Sequence, residues 1–132
     1  MSIFSPIISG EESCHKIKEN DRFLAFLEKK PIKSGHCLVL PKRETDFIFD
    51  LAPADLSDLV LFSQNVALAI RDAIPCKKVA VAVLGLEVRH AHIHLVPVDS
   101  AAELNFTANR LTFTDSEFEQ VAQRIRAALP AR

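Results

Sequence analysis

The sequence contains no tryptophan and no tyrosine, only three cysteines, and almost no net charge. Without tryptophan or tyrosine, intrinsic fluorescence and absorbance at 280 nm are poor probes of this protein. The formal net charge is −1 and no long basic run occurs, which argues against an extended nucleic-acid-binding surface. We therefore expect no nucleic-acid partner. A small anionic ligand needs only a few local positive groups and remains compatible with this composition.

The cysteines and the apolar stretches indicate the compartment and the class of protein. Cys14, Cys37 and Cys76 are widely spaced and odd in number, which is typical of reduced thiols rather than of a disulfide framework. No apolar stretch approaches the length of a membrane span, and the first residues lack the pattern of a signal peptide. We expect a cytoplasmic protein without a membrane partner, folded as a single domain over residues 1–132.

Periodicity and turn signals predict an α+β fold, with a mostly antiparallel sheet of about five strands, one long helix and one C-terminal helix. Strands are predicted at residues 13–18, 22–27, 36–40, 78–84 and along the histidine-rich stretch 90–96, and a short helix at residues 3–9. The long helix is predicted from Pro53 to about Ala73, with proline in its first turn. Thr114 and Glu117 form a capping-box pattern that opens the last helix.

Residues 90–96 hold three of the five histidines at a spacing of two. Because side chains of a β-strand alternate, the three imidazoles should share one face, and the residues between and after them should share the other. The second set, which packs into a core, is Ala91, Ile93 and Leu95. This pattern predicts a row of imidazoles looking out of the sheet, and we interpret the row as a functional site.

The length of the row limits its chemistry. Along a straight strand His90 and His94 are roughly 13 Å apart, so three imidazoles cannot bind one metal ion without help from another segment. A line of free imidazoles suits a phosphate ester or anhydride, because imidazole is a nucleophile when neutral and a donor when protonated. Two other interpretations stay open, namely a metal site and histidines without a role on a half-exposed strand.

The chain resembles the histidine triad (HIT) family of nucleotide-binding hydrolases and transferases. The family pattern His-φ-His-φ-His-φ-φ, where φ is hydrophobic, is matched at every position of residues 90–96. The segments 3–4, 19–26 and 35–42 also resemble the upstream blocks of the family, in the same order. The resemblance extends over residues 3–97 and implies a HIT-like fold.

The resemblance implies a hydrolase that attacks the α-phosphorus of a purine nucleotide derivative, such as an adenosine phosphoramidate or an adenylate. His92 would be the nucleophile, forming a nucleotidyl-histidine intermediate before a nucleoside monophosphate is released. A neutral His92 needs an acceptor for its other ring N–H, for which a main-chain carbonyl is suited. His94 would hydrogen-bond the phosphate, and His90 and His36 would support the site. His94, in place of the glutamine usual in the transferase branch, favours hydrolysis over transfer.

The resemblance also assigns nucleotide-binding positions. Glu28 stands where the family carries an acidic residue that binds the ribose hydroxyls. Arg89 is a candidate phosphate clamp, although strand alternation places it on the face opposite His90. Leu86 and Glu87 stand where many members have a polar pair. Because a carboxylate repels an anionic phosphate, Glu87 is expected to point away, to be protonated, or to meet a cationic leaving group such as an amine. The apolar base pocket is expected to be built from Ile3, Phe4, Ile7 and Phe26.

We expect neither a metal nor another cofactor. Some bacterial members bind zinc through an N-terminal Cys-x-x-Cys, of which Cys14 alone is present here. A weaker metal site using Cys14, His15 or His36 stays open. The resemblance implies a homodimer that binds a purine nucleotide substrate. The alternatives are a dinucleoside polyphosphate hydrolase, a nearly inactive nucleotide-binding module and a metal-sensing protein.

Overall fold

The computed structural model describes residues 1–131 and confirms the α+β fold. Within these residues no helix is both long enough and apolar enough to cross a membrane. Two short 3-10 turns lie at Ile48–Asp50 and Ala101–Glu103. The remaining elements are α1 (Ser5–Ser9), β1 (Lys16–Glu19), β2 (Phe23–Leu27), β3 (Cys37–Pro41), α2 (Pro53–Ala73), β4 (Lys78–Ala82), β5 (Ile93–Val98) and α3 (Asp115–Ala127). The strands form one antiparallel sheet in the order β1-β2-β3-β5-β4.

Both long helices begin where local sequence signals predict. α2 starts at Pro53, which needs no partner for a backbone N–H in the first helical turn. α3 is capped by Thr114, whose hydroxyl accepts the Glu117 N–H at 3.1 Å, while the Glu117 carboxylate accepts the Thr114 N–H at 2.8 Å. This reciprocal pair confirms the capping box. α2 packs on the sheet, and α3 packs on α2 and β1.

The two faces of the sheet are covered differently. Because side chains alternate, the face under α2 and α3 holds Cys37 and Val39, whereas Leu38 and Leu40 point to the opposite side. We call the first side the apolar face, which is formed by Ala25, Cys37, Val39, Ile93 and Leu95. We call the second the histidine face, which is formed by Leu24, Phe26, Leu38, Leu40 and His94. α1 and its neighbours cover part of the histidine face through Phe4 and Ile7.

The strand boundaries differ from the predicted ones where irregular segments meet the sheet. β5 begins at Ile93, so the prediction that the whole triad lies on a strand is wrong for His90 and His92. The backbone N–H of Ala91 donates to the carbonyl of Thr45 at 2.7 Å, in the loop before α2, instead of to a neighbouring strand. β1 begins at Lys16, three residues later than predicted. β4 ends at Ala82, so residues 83–92, between β4 and β5, form an irregular segment.

The imidazoles of the triad are buried rather than exposed to solvent. His90 is fully buried, and only 7% of His92 and of His94 is exposed. The N-terminal segment covers the row, since the Phe4 ring lies edge-on to His90 at 5.6 Å and to His92 at 5.1 Å between ring centroids. Three polar rings are therefore buried at the histidine face, where each needs hydrogen-bond partners.

Candidate active site

A cavity of about 660 Å³ opens at the histidine face, and His92 and His94 form part of its wall. It lies between the N-terminal segment, the end of β2 and the irregular segments before and after β5. Its lining residues are Ile3, Phe4, Glu28, Lys29, Lys30, Leu84, Gly85, Leu86, Glu87, Val88, His92, His94, Phe106 and Arg110. The cavity thus contains two imidazoles together with groups of both charge signs.

The proton position on His92 follows from its partner. His92 Nδ1 lies 2.6 Å from the carbonyl oxygen of His90. Because a carbonyl oxygen can only accept, Nδ1 must carry the hydrogen, and the lone pair of a neutral ring is then on Nε2. Burial lowers the pKa of His92 and favours this neutral form. The structure thereby supplies the main-chain acceptor that a nucleophilic His92 requires.

His94 has the opposite tautomer, which a chain of hydrogen bonds determines. The Ile32 N–H donates to His36 Nδ1 at 3.2 Å, so the hydrogen of a neutral His36 is on Nε2. His36 Nε2 in turn donates to His94 Nδ1 at 3.0 Å. His94 Nδ1 is therefore an acceptor, and its own hydrogen is on Nε2. Of the two imidazoles at the cavity, His92 has a free lone pair and His94 has an N–H donor.

The pKa values of this pair agree with neutral rings. Burial, followed by repulsion from His94 and Arg110, lowers the pKa of His36 from 6.5 to about 3. Burial, followed by repulsion from His92 and Arg110, lowers the pKa of His94 to about 4. Near neutral pH both rings are uncharged, so each can donate at one nitrogen and accept at the other.

His90 lies behind the cavity wall and does not line it. Its Nε2 lies 2.7 Å from the carbonyl oxygen of Pro41 at the end of β3, and therefore donates. Its Nδ1 accepts from the Ser2 hydroxyl at 2.8 Å. His90 thus joins the N-terminal segment to the sheet and fixes the carbonyl that His92 uses, a position that fits a supporting role.

The residues predicted to bind the nucleoside divide into two groups. Ile3, Phe4 and Glu28 line the cavity, and a Glu28 carboxylate oxygen accepts the Lys30 N–H at 3.2 Å. Ile7 and Phe26 are buried and do not line it. Phe26 instead packs against the ring of Phe4, at 5.9 Å between centroids, so its contribution is to hold Phe4 in place.

The arginine at this cavity is not the one that the sequence suggests. Arg89 is exposed in the irregular segment before His90 and does not line the cavity. Glu87, two residues earlier, does line it. Arg110 lies in the wall, and its Nη1 donates to the carbonyl of Lys30 at 2.7 Å. The residues around Arg110 have no periodicity or motif, so only the tertiary structure reveals its position.

Comparison with known proteins agrees with this geometry, because the sequence profile of the HIT domain matches residues 9–101. The chain belongs to the HIT family. An uncharacterized HIT-like protein of Mycobacterium tuberculosis is 31% identical over 132 residues, covering 96% of this chain and 92% of that protein. The asymmetrical bis(5'-nucleosyl)-tetraphosphatase of Schizosaccharomyces pombe is 31% identical over 98 residues, covering 70% of this chain and 52% of the yeast protein.

Solved structures of other HIT proteins share the fold. A HIT-like protein involved in cell-cycle regulation from Bartonella henselae superposes with a TM-score of 0.84 at 26% identity, covering 97% of this chain and 96% of its own. A zinc-bound histidine triad family protein from Mycobacterium smegmatis gives a TM-score of 0.79 at 29% identity, covering 96% and 91%.

The arrangement of possible metal ligands in this HIT protein differs from the one left open above. Among residues 1–131, one cluster brings potential ligand atoms within 4.8 Å of one another, namely Glu28, His36 and His94. A metal ion there would displace the hydrogen bond between the two imidazoles. Cys14 and His15 lie instead at a separate cavity of about 700 Å³, where His15 Nδ1 lies 3.1 Å from a Glu119 carboxylate oxygen. A site combining them with His36 is therefore not assembled, and the absence of a metal stays a prediction.

Proposed function

We propose that this HIT protein hydrolyses purine nucleotide derivatives at the α-phosphorus, through a nucleotidyl-histidine intermediate on His92, and releases a nucleoside monophosphate. The observation that carries the proposal is the pair of opposite tautomers at the cavity. His92 has a free lone pair on Nε2, and His94 has an N–H donor there. Membership of a family of nucleotide-binding proteins and hydrolases supports the same assignment.

In the first step, His92 Nε2 forms a bond to the α-phosphorus while the bond to the leaving group breaks. The attacking ring becomes positively charged, and donation from its Nδ1–H to the carbonyl of His90 stabilises that charge. The His94 N–H stabilises a phosphoryl oxygen. The leaving group takes a proton from solvent as it departs. Water then attacks the phosphorus and releases His92, and the proton that water loses returns to solvent. Covalent catalysis thereby divides one difficult displacement into two easier ones.

The cavity wall supports a nucleoside and a leaving group on either side of the phosphate. Glu28 is available to accept hydrogen bonds from the ribose hydroxyls, and Ile3 and Phe4 offer apolar surface for the base. Glu87 forms no ion pair among the described residues. A carboxylate in this position favours a cationic leaving group, such as an amine, over an anionic one. We therefore place an adenosine phosphoramidate or an adenylate first among the substrates.

A dinucleoside polyphosphate is the second candidate substrate. It is favoured by the similarity to the yeast tetraphosphatase and by the presence of Lys30 and Arg110 in the cavity wall. Lys30 would bind an additional phosphate of such a substrate. Glu87 opposes this assignment, because it adds a negative charge to the same wall.

We also propose that the protein is a homodimer. Val60 and Leu61 of α2 and Val81 of β4 are exposed and border an apolar cavity of about 370 Å³. β4 is an edge strand, so one side of its backbone is free to pair with another strand. A second copy of the chain would cover both features. Light scattering should show a dimer for the native chain and a monomer for Val81→Asp.

The experiment that tests the catalytic proposal measures AMP release from adenosine 5'-phosphoramidate in the presence of a chelator. We expect metal-independent turnover by the native chain and a loss of roughly a thousandfold or more in His92→Ala. His15→Ala is the matched control, because it removes a histidine that lies outside the cavity. If the native chain binds AMP but turns over neither this substrate nor a dinucleoside polyphosphate, the hydrolase assignment is wrong and a nucleotide-binding module is favoured.

A further inference from the structure

The segment between β5 and α3, residues 99–114, covers one end of the histidine face. The Phe106 ring lies edge-on to both His94 and His36. The distances between ring centroids are 4.7 Å to His94 and 6.3 Å to His36. Leu104 and Phe106 also pack on a small apolar cluster that consists of Ile32, Val96 and Val98. The segment is therefore anchored on the sheet beside the His36–His94 pair.

Two hydrogen bonds from consecutive residues join this segment to the loop after β2. Arg110 Nη1 donates to the carbonyl of Lys30 at 2.7 Å, and the Leu111 N–H donates to the carbonyl of Pro31 at 2.8 Å. Arg110 Nη2 also donates to the carbonyl of Phe106 at 3.3 Å. The guanidinium is therefore held in a defined position in the cavity wall.

The charge of Arg110 is not compensated by a neighbouring carboxylate. The two hydrogen bonds of its guanidinium are donated to neutral carbonyls, and no acidic residue among residues 1–131 forms an ion pair with it. Lys29, by contrast, also lines the cavity but is paired with Glu12. Since a guanidinium has five N–H donors, Arg110 retains donors for a ligand.

Arg110 and Glu28 shift the pKa values of the imidazoles in opposite directions. Arg110 is among the groups that lower the pKa of His36 and His94, whereas Glu28 acts on His92 and raises its pKa against the effect of burial. The site therefore contains a charge of each sign near its imidazoles, and the Glu28 carboxylate also lies within 4.8 Å of ring nitrogens of His36 and His94.

We propose that Arg110 binds an oxygen of the substrate's α-phosphate from the side of His94. The inference rests on the proposed function and identifies how that site accommodates an anion. His92 and His94, the two imidazoles in the cavity wall, are neutral near pH 7, so neither supplies a positive charge. Arg110 supplies that charge in a guanidinium geometry that matches a phosphate. Its donors and the His94 N–H would then bind the phosphate together.

The test compares binding of AMP and of adenosine, which differ only in the phosphate. NMR titration or calorimetry is suitable, because the chain has no tryptophan or tyrosine. For Arg110→Gln we expect the affinity for AMP to fall about 10- to 100-fold, while the affinity for adenosine stays unchanged. Arg110→Lys should recover part of the loss, since it restores the charge but not the planar fork.

Arg124→Gln is the matched control. Arg124 is also an exposed arginine that donates to a backbone carbonyl, that of Ala73 at 2.6 Å, but it lies on α3 and does not line the cavity. Its replacement removes the same charge and should leave the affinity for AMP unchanged. An effect equal to that of Arg110→Gln would indicate only a change in overall charge and would overturn the assignment.

Two further outcomes would also overturn it. Unchanged AMP binding in Arg110→Gln would show that the guanidinium does not contact the phosphate. An equal loss of AMP and adenosine binding would show that Arg110 acts by holding the segment 99–114 in place. If the native chain binds neither compound, the proposed function itself is contradicted, a result that differs from both. If AMP binding survives and only turnover of a dinucleoside polyphosphate falls, Arg110 contacts a more distant phosphate and the α-phosphate assignment is wrong.

Discussion

The apolar face and the histidine face belong to one sheet but are built in opposite ways. The apolar face is covered by the regular helices α2 and α3, and the sheet residues that form it are all apolar. The histidine face is covered by the five-residue helix α1 and by the irregular segments 83–92 and 99–114. Regular elements bury continuous apolar surface efficiently, whereas irregular segments can present individual carbonyls, N–H groups and charges to buried polar rings.

The difference shows how a single strand can serve stability and chemistry together. Along β5, Ile93 and Leu95 are part of the apolar core, while His94, between them, belongs to the cavity wall. The buried imidazoles are tolerable because each has specific hydrogen-bond partners. If this division is correct, substitutions on the apolar face should change stability, and substitutions on the histidine face should change catalysis or binding.

The largest effect on stability is expected for Leu59→Ala, on the apolar face. Leu59 is fully buried in α2, and its truncation should lower the free energy of unfolding by about 2–5 kcal/mol. Turnover per folded molecule should be unchanged. Urea denaturation followed by circular dichroism measures the first quantity, and Leu86→Ala, at a residue 85% exposed, is the control for stability. A loss of turnover in folded Leu59→Ala would show that the two faces are not separable.

The next effect concerns the hydrogen-bond chain on the histidine face. His36→Leu removes the donor to His94 Nδ1, so the tautomer of His94 is no longer fixed. We expect turnover to fall roughly 10- to 100-fold, in line with about 1–3 kcal/mol for a buried polar group left without its partner. His36→Gln, whose amide retains an N–H donor, should lose less. Equal activity of His36→Leu and the native chain would contradict the chain of hydrogen bonds.

A smaller effect is expected in the pH dependence of stability. The folded-state pKa values of about 3 for His36 and about 4 for His94 lie below the ordinary value of 6.5. Between these values the unfolded chain binds more protons than the folded chain, so stability is fully present above pH 6.5 and decreases as the pH falls toward 4. Thermal unfolding between pH 7 and 5 should show a declining midpoint and a shallower decline in His36→Gln. An identical pH dependence in both proteins would show that the lowered pKa of His36 does not contribute to the loss of stability at low pH.

The smallest effect is expected for Arg89→Gln. Arg89 is exposed and lies outside the cavity, so its replacement should weaken AMP binding by less than about twofold, as is usual for surface substitutions. Measured beside Arg110→Gln, it decides between the phosphate-binding arginine suggested by the sequence and the one placed by the fold. A larger loss in Arg89→Gln than in Arg110→Gln would restore the sequence prediction.

Structural features that depend on residues close together in the chain were predictable from the sequence. The starts of α2 and α3 depend on Pro53 and on the Thr114–Glu117 pair, and both act within one helical turn. The alternation of the residues in β3 and β5 also identified which side chains share a face. The start of β5 was missed because the Ala91 N–H finds its acceptor at Thr45, a distant residue in the chain.

The sequence by itself determined the family, the α+β class and the alternation that separates the apolar face from the imidazoles, since these depend on local pattern and periodicity. The tertiary structure decided which ring nitrogens carry hydrogens, because His36, His92 and His94 obtain their partners from backbone groups and rings that only the fold brings together. It also decided that Arg110, and not Arg89, lies in the cavity wall. Hydrogen-bond direction and uncompensated charge are properties of assembled neighbours, which no short stretch of sequence contains.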